Sequence, residues 1–220
     1  NLKEIDYSRK NIRHFPGLNG ITAIIEKDST HMWIGTATGL YLLEKVTGKY
    51  SYIQMTVESY YIYSLYQASD GMLYIGTNNA GLLVYDTTKN TFRHYHRDNC
   101  ALISNNIYTL LSDGKGNIFL STEHGLSTFY PAEETFHNWT KEQGLKSDHF
   151  NAASGTLRKN GNFIFGSTDG AIEFDKDMVL PRDYKFKMVF NDLRVFYQTV
   201  YPKDEGSPLI LDIDETKTLR

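Results

Sequence analysis

Two acid–histidine pairs, Glu123-His124 and Asp148-His149, are the residues of this 220-residue chain whose types suit proton transfer. A carboxylate beside an imidazole can act as an acid/base pair, and carboxylates such as Glu123 and Asp148 facing one another could hydrolyse a glycosidic bond. Nothing in their spacing sets their separation. His94 and His96 would share one face of a strand, a geometry open to a metal, but without a third ligand type nearby a solvated rim explains them better. The motifs Gly-x-Ser-x-Gly, His-Glu-x-x-His and Gly-x-x-x-x-Gly-Lys are absent, as is a dinucleotide fingerprint on a strand-to-helix turn. No catalytic site, cofactor or metal is therefore expected in this chain.

A second group of residues suits binding rather than turnover. Asn19, Tyr60, Tyr61, Ser104, Asn105, Asn106, Asp148, His149 and Asn151 lie in connecting segments, with Asn78, Asn79, Glu123, His124 and Asp169 in tight turns. Amides and hydroxyls satisfy sugar hydroxyls, and aromatic rings stack on the apolar faces of a sugar. Taken singly, each Asn, Ser or Asp is equally explained as a turn former.

The elements that carry these residues repeat. Met32-Trp33-Ile34-Gly35-Thr36 is echoed by Leu73-Tyr74-Ile75-Gly76-Thr77, Ile118-Phe119-Leu120-Ser121-Thr122 and Phe163-Ile164-Phe165-Gly166-Ser167. Trp33, Tyr74, Phe119 and Ile164 are thus spaced by 41, 45 and 45 residues, a period suited to four-stranded propeller blades. Each copy places an apolar stretch first (21–25, 62–66, 107–111, 153–157), then a polar turn and the aromatic strand. A second turn follows with Gly39, Gly81, Gly125 or Gly170, which implies a positive φ there. A third strand comes next, and an aromatic fourth around Tyr50-Tyr52, Phe92-Tyr95 and Phe136-Trp139. Consecutive apolar residues in the middle strands imply burial on both sheet faces, as between packed blades. An α-solenoid fails on the aromatic and β-branched richness and on the Gly inside each unit.

Blade order would put the connecting segments between blades at the same end as the turns after the Gly-Thr strands, so the binding group forms one face. Trp33, Tyr74 and Phe119 occupy equivalent positions, and a repeated packing role explains them. Net charge of -3 gives no footprint for nucleic acid or an anionic membrane, and the single Cys100 excludes a disulfide framework.

Residues 144–174, reading Gly-Leu-Lys-Ser-Asp-His-Phe-Asn through Gly-Ala-Ile-Glu-Phe, resemble the last blade of the two-component regulator propeller family. The earlier repeats match the same pattern through Asp113-Gly-Lys-Gly116 and Gly39-Leu40, Gly81-Leu82 and Gly125-Leu126. Departures are Ser121 for Gly, Ala171 for Leu, and Ser29-Thr30-His31, where the turn Gly is missing. Downstream, Phe186-Lys-Met-Val-Phe-Asn-Asp-Leu-Arg-Val-Phe196 and Pro208-Leu-Ile-Leu211 resemble the opening strands of the immunoglobulin-like Y_Y_Y domain that follows such propellers.

The fold expectation is all-β: a partial β-propeller of about four four-stranded blades, cut from a larger seven-bladed ring, plus the first strands of an immunoglobulin-like sandwich. The propeller would occupy 1–178, with 1–17 ending a preceding blade and repeats at 18–58, 59–103, 104–148 and 149–178. The fourth copy lacks an obvious outer strand. A linker at 175–184 with Pro181 would lead into the truncated Y_Y_Y segment at 179–220. The resemblance implies the periplasmic sensor region of a membrane-anchored hybrid two-component histidine kinase of Bacteroidetes, binding an oligosaccharide. It also implies a homodimer in the full protein and partnership with the rest of the propeller and the kinase chain. A protein-interaction scaffold and a polysaccharide-degrading propeller enzyme are the alternative readings.

Overall fold

The computed structural model describes residues 17–57 and 61–175 in full, and the backbone of short strands at 2–6, 11–15, 194–195 and 198–199. The chain divides into two compact units, Asn1–Met178 and Val179–Arg220.

In the first unit, β1 (Leu2–Asp6) and β2 (Asn11–Phe15) pair as an antiparallel hairpin. The first blade comprises β3 (Ile21–Glu26), β4 (His31–Thr36), β5 (Gly39–Glu44) and β6 (Tyr50–Ile53). The second comprises β7 (Ile62–Gln67), β8 (Met72–Thr77), β9 (Leu82–Asp86) and β10 (Thr91–Tyr95). The third comprises β11 (Ile107–Ser112), β12 (Ile118–Thr122), β13 (Gly125–Tyr130) and β14 (Thr135–Trp139). The fourth holds β15 (Phe150–Leu157), β16 (Phe163–Ser167) and β17 (Gly170–Phe174), and among the described residues its sheet has three strands. Strands neighbour one another in chain order in every sheet, and β3, β7, β11 and β15 pack in succession as the inner strands. This is the all-β propeller arrangement.

In the second unit β18 (Arg194–Val195) pairs antiparallel with β19 (Gln198–Thr199). The expected linker beyond Asp175, the immunoglobulin-like strands other than the β18 backbone, and the candidate Tyr60 lie outside the described residues.

The middle strands are buried on both faces. All of β9 is buried, as are five of six residues in β8 and in β13, whereas β6 and β10 alternate or open to solvent. The apolar side chains therefore meet between blades rather than within them. Trp33, Leu40, Ile62, Leu73, Leu83 and Tyr85 fill the seam between the first and second blades. Tyr74, Leu82, Val84, Ile107, Leu110 and Phe129 fill that between the second and third. At roughly 1.5–3 kcal/mol per fully buried large apolar side chain, these seams hold the blades together.

The Gly of the repeated strand sets how closely blades approach. A Cβ on Gly35 would lie 2.7 Å from Cγ2 of Ile62, and one on Gly76 would lie 2.9 Å from Cγ2 of Ile107. The second and third inner strands thus seat their first isoleucine on the glycine of the preceding blade. Gly81 has the positive φ expected of its turn, +76°, and a Cβ there would in addition lie 2.2 Å from the carbonyl oxygen of Tyr95.

At the other end of the sheets a side-chain oxygen organises each β-turn. Asp70 Oδ1 accepts from Met72 N at 3.0 Å, Asp113 Oδ1 from Lys115 N at 2.7 Å, and Asn160 Oδ1 from Asn162 N at 3.0 Å. In the first blade, where the turn Gly is missing, Asp28 Oδ1 accepts from the backbone of both Thr30 and His31 at 2.8 Å.

Candidate functional site

The residue closing each repeated strand is a buried hydroxyl, and it shapes the face where the binding group was expected. Thr36, Thr77, Thr122 and Ser167 donate to the carbonyls of Gly39, Gly81, Gly125 and Gly170 at 2.7–2.9 Å. The same oxygens accept from the turn amides of Thr38, Ala80, His124 and Asp169 at 3.0–3.3 Å. One hydroxyl per blade therefore staples a short turn shut and aims the residues at its tip.

The connecting segments share that end of the blades. Ala37 N donates to Gly20 O, Asn78 N to Tyr61 O and Thr168 N to His149 O, at 2.8–3.0 Å, so each turn is tied to its own blade's entry segment. Between blades, Asn79 N donates to Asn106 Oδ1 at 2.8 Å, and Gly81 N to Asn105 O at 2.9 Å.

A one-residue bulge recurs at the entry of the inner strands. Pairing jumps from Ile21 to Ala23, from Ile62 to Ser64 and from Ile107 to Thr109, leaving Thr22, Tyr63 and Tyr108 out of register. Bulges redirect a side chain and are common beside binding sites. In the fourth blade the irregularity spans Phe150 to Gly155, and it includes Ala153 at φ 52°.

The bulges bring together a row of rings. Tyr61 and Tyr63 have centroids 4.9 Å apart, and Tyr63 meets Tyr108 of the next blade edge-on at 5.2 Å. Burial pushes both bulge phenols above the usual tyrosine value, with the Glu123 charge adding to each. Beside them Ser104 Oγ donates to Glu123 Oε1 at 3.1 Å, and His124 Nε2 is 3.6 Å from the same oxygen. His149 Nδ1 lies 2.8 Å from the Glu123 carbonyl. A carbonyl only accepts, so Nδ1 carries the proton and Nε2 of the neutral ring can accept. The His124 and His149 rings are 6.4 Å apart.

Five of the expected residues, Tyr61, Ser104, Glu123, His124 and His149, thus converge. Tyr63 and Tyr108 complete the group and were not expected, because both fall within runs that read as buried strand. Asn79 and Asn106 bond one another across a seam, while Asn78 is half-buried beside them. Asn105 Oδ1 accepts from Arg97 N at 2.9 Å, and Asp148 Oδ1 from Lys141 N at 2.6 Å, so both side chains organise loops. Asn19, Asn151 and Asp169 are exposed at the same end. His94, half-buried, directs Nε2 at the Ala80 carbonyl. Among the described residues no group of three His, Cys, Asp or Glu could hold a metal ion.

Radially packed antiparallel blades with one loop face define a β-propeller. Residues 56–79, spanning β7 and β8, match the model of the two component regulator propeller family. The chain is 22% identical over 209 residues to histidine kinase P4 of Formosa agariphila, covering 91% of this chain and 15% of that protein. It is similar in structure to the extracellular domain assigned to a hybrid two component system of B. thetaiotaomicron. That likeness has a TM-score of 0.64 at 22% identity and covers 78% of this chain and 24% of the other. A second extracellular domain of B. thetaiotaomicron, assigned to a one component system, matches with TM-score 0.64 at 18% identity, over 81% of this chain and 24% of its own. At these identities the structural likeness establishes the fold. The chain spans about a seventh of the curated relative and about a quarter of the solved structures. Among the described residues no helix is long and apolar enough to cross a membrane.

Proposed function

We propose that this chain is part of the extracytoplasmic, periplasmic sensing region of a hybrid two-component histidine kinase and binds an oligosaccharide on its loop face. The observation that carries this reading is the row Tyr61–Tyr63–Tyr108, drawn from two blades and ending at Glu123 and His149 from the next turn and blade. Half-exposed rings offer surfaces on which a sugar can stack, and the carboxylate, imidazole and hydroxyl beside them suit its hydroxyls. The reading is binding rather than hydrolysis: Asp148, the expected partner of Glu123, has its Oδ1 accepting from the Lys141 amide, where it organises the loop. Signalling then requires the sugar to favour one arrangement of the homodimeric sensor over another, since only differential affinity moves such an equilibrium.

Calorimetric titration of the full extracytoplasmic region with plant, fungal and host oligosaccharides tests this. Heat without product formation supports sensing. Product formation would establish a polysaccharide-degrading enzyme, and absence of heat with every glycan would leave a protein-interaction scaffold.

A further inference from the structure

The repeats provide an internal comparison on the loop face itself. The turn residue that follows the buried hydroxyl is Ala37 in the first blade, Asn78 in the second, Glu123 in the third and Thr168 in the fourth. The turn therefore closes with a neutral residue as well as with an acid, and in the third blade its hydrogen bonds come from the Thr122 hydroxyl rather than from the Glu123 carboxylate. At the bulges the series is Thr22, Tyr63 and Tyr108. Rings and carboxylate thus occur together in the sector of the second and third blades, whereas the first blade has threonine and alanine at the same two places.

The groups in that sector are biased toward accepting. Among the described residues Ser104 is the one hydrogen-bond donor to the Glu123 carboxylate, which has room for about four. His124 Nε2, 3.6 Å away, is beyond hydrogen-bond reach. His149 commits its Nδ1 proton to the Glu123 carbonyl, so Nε2 is left as an acceptor. Tyr61 and Tyr63 are inclined by 54°, and Tyr63 and Tyr108 by 81°, so neighbouring rings wall a small group from two sides and do not form one flat platform. The negative faces of such rings attract a cation, and both bulge phenols lie within the field of the Glu123 charge. Carboxylate, imidazole nitrogen and ring faces together suit a donor that carries positive charge.

We propose that the loop face selects an oligosaccharide bearing a free amino group, whose ammonium sits against the Glu123 carboxylate beside the rings of Tyr63 and Tyr108. This rests on the oligosaccharide reading of the same face and narrows it to hexosamines with an unsubstituted nitrogen. An acetamide or a hydroxyl at the same carbon brings no charge, and a uronic acid brings the wrong one.

A matched set of sugars tests the selection. The β-1,4-linked glucosamine dimer, its N,N′-diacetyl derivative and cellobiose differ only at carbon 2, as ammonium, acetamide and hydroxyl; digalacturonate is the anionic control. Each is titrated at neutral pH into the full extracytoplasmic region by calorimetry, at low salt and at about 0.5 M salt. The glucosamine dimer is expected to bind about tenfold more tightly than the other sugars, and its advantage to shrink at high salt. Glu123→Gln, which can still accept from Ser104, should abolish the preference, and Tyr108→Phe should keep it because the ring face is retained. Glu133→Gln, an exposed acid between β13 and β14 at the other end of the sheets, should leave every affinity unchanged. The comparison among sugars on the native protein does not depend on any variant folding. Equal or weaker binding of the glucosamine dimer, tightest binding of digalacturonate, or a preference that survives Glu123→Gln overturns this inference, while a bound neutral sugar leaves the oligosaccharide reading standing. Absence of heat with every glycan removes both.

Discussion

The indole of Trp33 and the side-chain amide of Gln67 are joined across the first seam by a 2.7 Å hydrogen bond, 34 residues apart in sequence. Burying the indole N–H requires that acceptor, since an unpaired buried donor costs about 1–3 kcal/mol. Gln67→Leu should therefore destabilise the protein by about that amount, read as a fall in the urea midpoint. Trp33→Phe combined with Gln67→Leu should recover part of the loss, because the stranded donor is gone.

Glycines in different settings should respond differently. Gly81→Ala combines a left-handed backbone with a Cβ 2.2 Å from the Tyr95 carbonyl oxygen, whereas Gly114, also at positive φ, has open space around it. Gly114→Ala should cost about 1–2 kcal/mol from backbone strain alone. Gly81→Ala should cost clearly more, because the last strand of its blade has to move. Equal midpoints in chemical denaturation would contradict this.

The Thr122 hydroxyl both donates to the Gly125 carbonyl and accepts from the His124 amide. Thr122→Val keeps the shape and removes both bonds. Stability should fall by roughly 1–3 kcal/mol. Because Glu123 and His124 sit on that turn, loop-face ligand affinity should fall with it, while Thr36→Val should lower stability and leave that affinity nearer native.

On the loop face, Tyr108→Ala removes a ring that meets Tyr63 at 5.2 Å. The oligosaccharide affinity should drop by about 1 kcal/mol, the worth of one aromatic contact, and Tyr108→Phe should retain most of it. Titration calorimetry distinguishes the two variants.

Acid should act through His137. Burial lowers its pKa below the ordinary histidine value of 6.5, and its Nε2 is buried without a partner. The folded protein thus holds the ring neutral, and the unfolded chain takes up the proton first as pH falls. Its contribution is complete above the unfolded value and is lost as pH drops through 6.5 toward the lower folded value. His137→Phe should flatten that part of the stability profile, measured by denaturation across the pH range.

The blade plan was legible in the residues. Aromatic-Ile-Gly-Thr recurs because the middle strands are buried on both faces and Gly35 and Gly76 each admit the next blade's isoleucine, so the pattern is imprinted by packing that repeats. The loop face followed from strand order, and Tyr61, Glu123, His124 and His149 do meet there. Asn105 and Asp148 have the same residue types as a binding site but organise loops, a distinction made by which amide lies within reach rather than by type.

Tyr63 and Tyr108 could not be separated from core in the sequence, because each follows an isoleucine in an apolar run. A one-residue slip in pairing with β8 and β12 turns them toward the face, and such a slip depends on two strands at once. Gln67 is unremarkable in a linear reading, and only when neighbouring blades are set side by side does it reach an indole 34 residues away. Local pattern determined the strands, turns and blade count of this chain; which side chains face each other across its seams was decided by tertiary packing, because distance between blades is not a property of any single repeat.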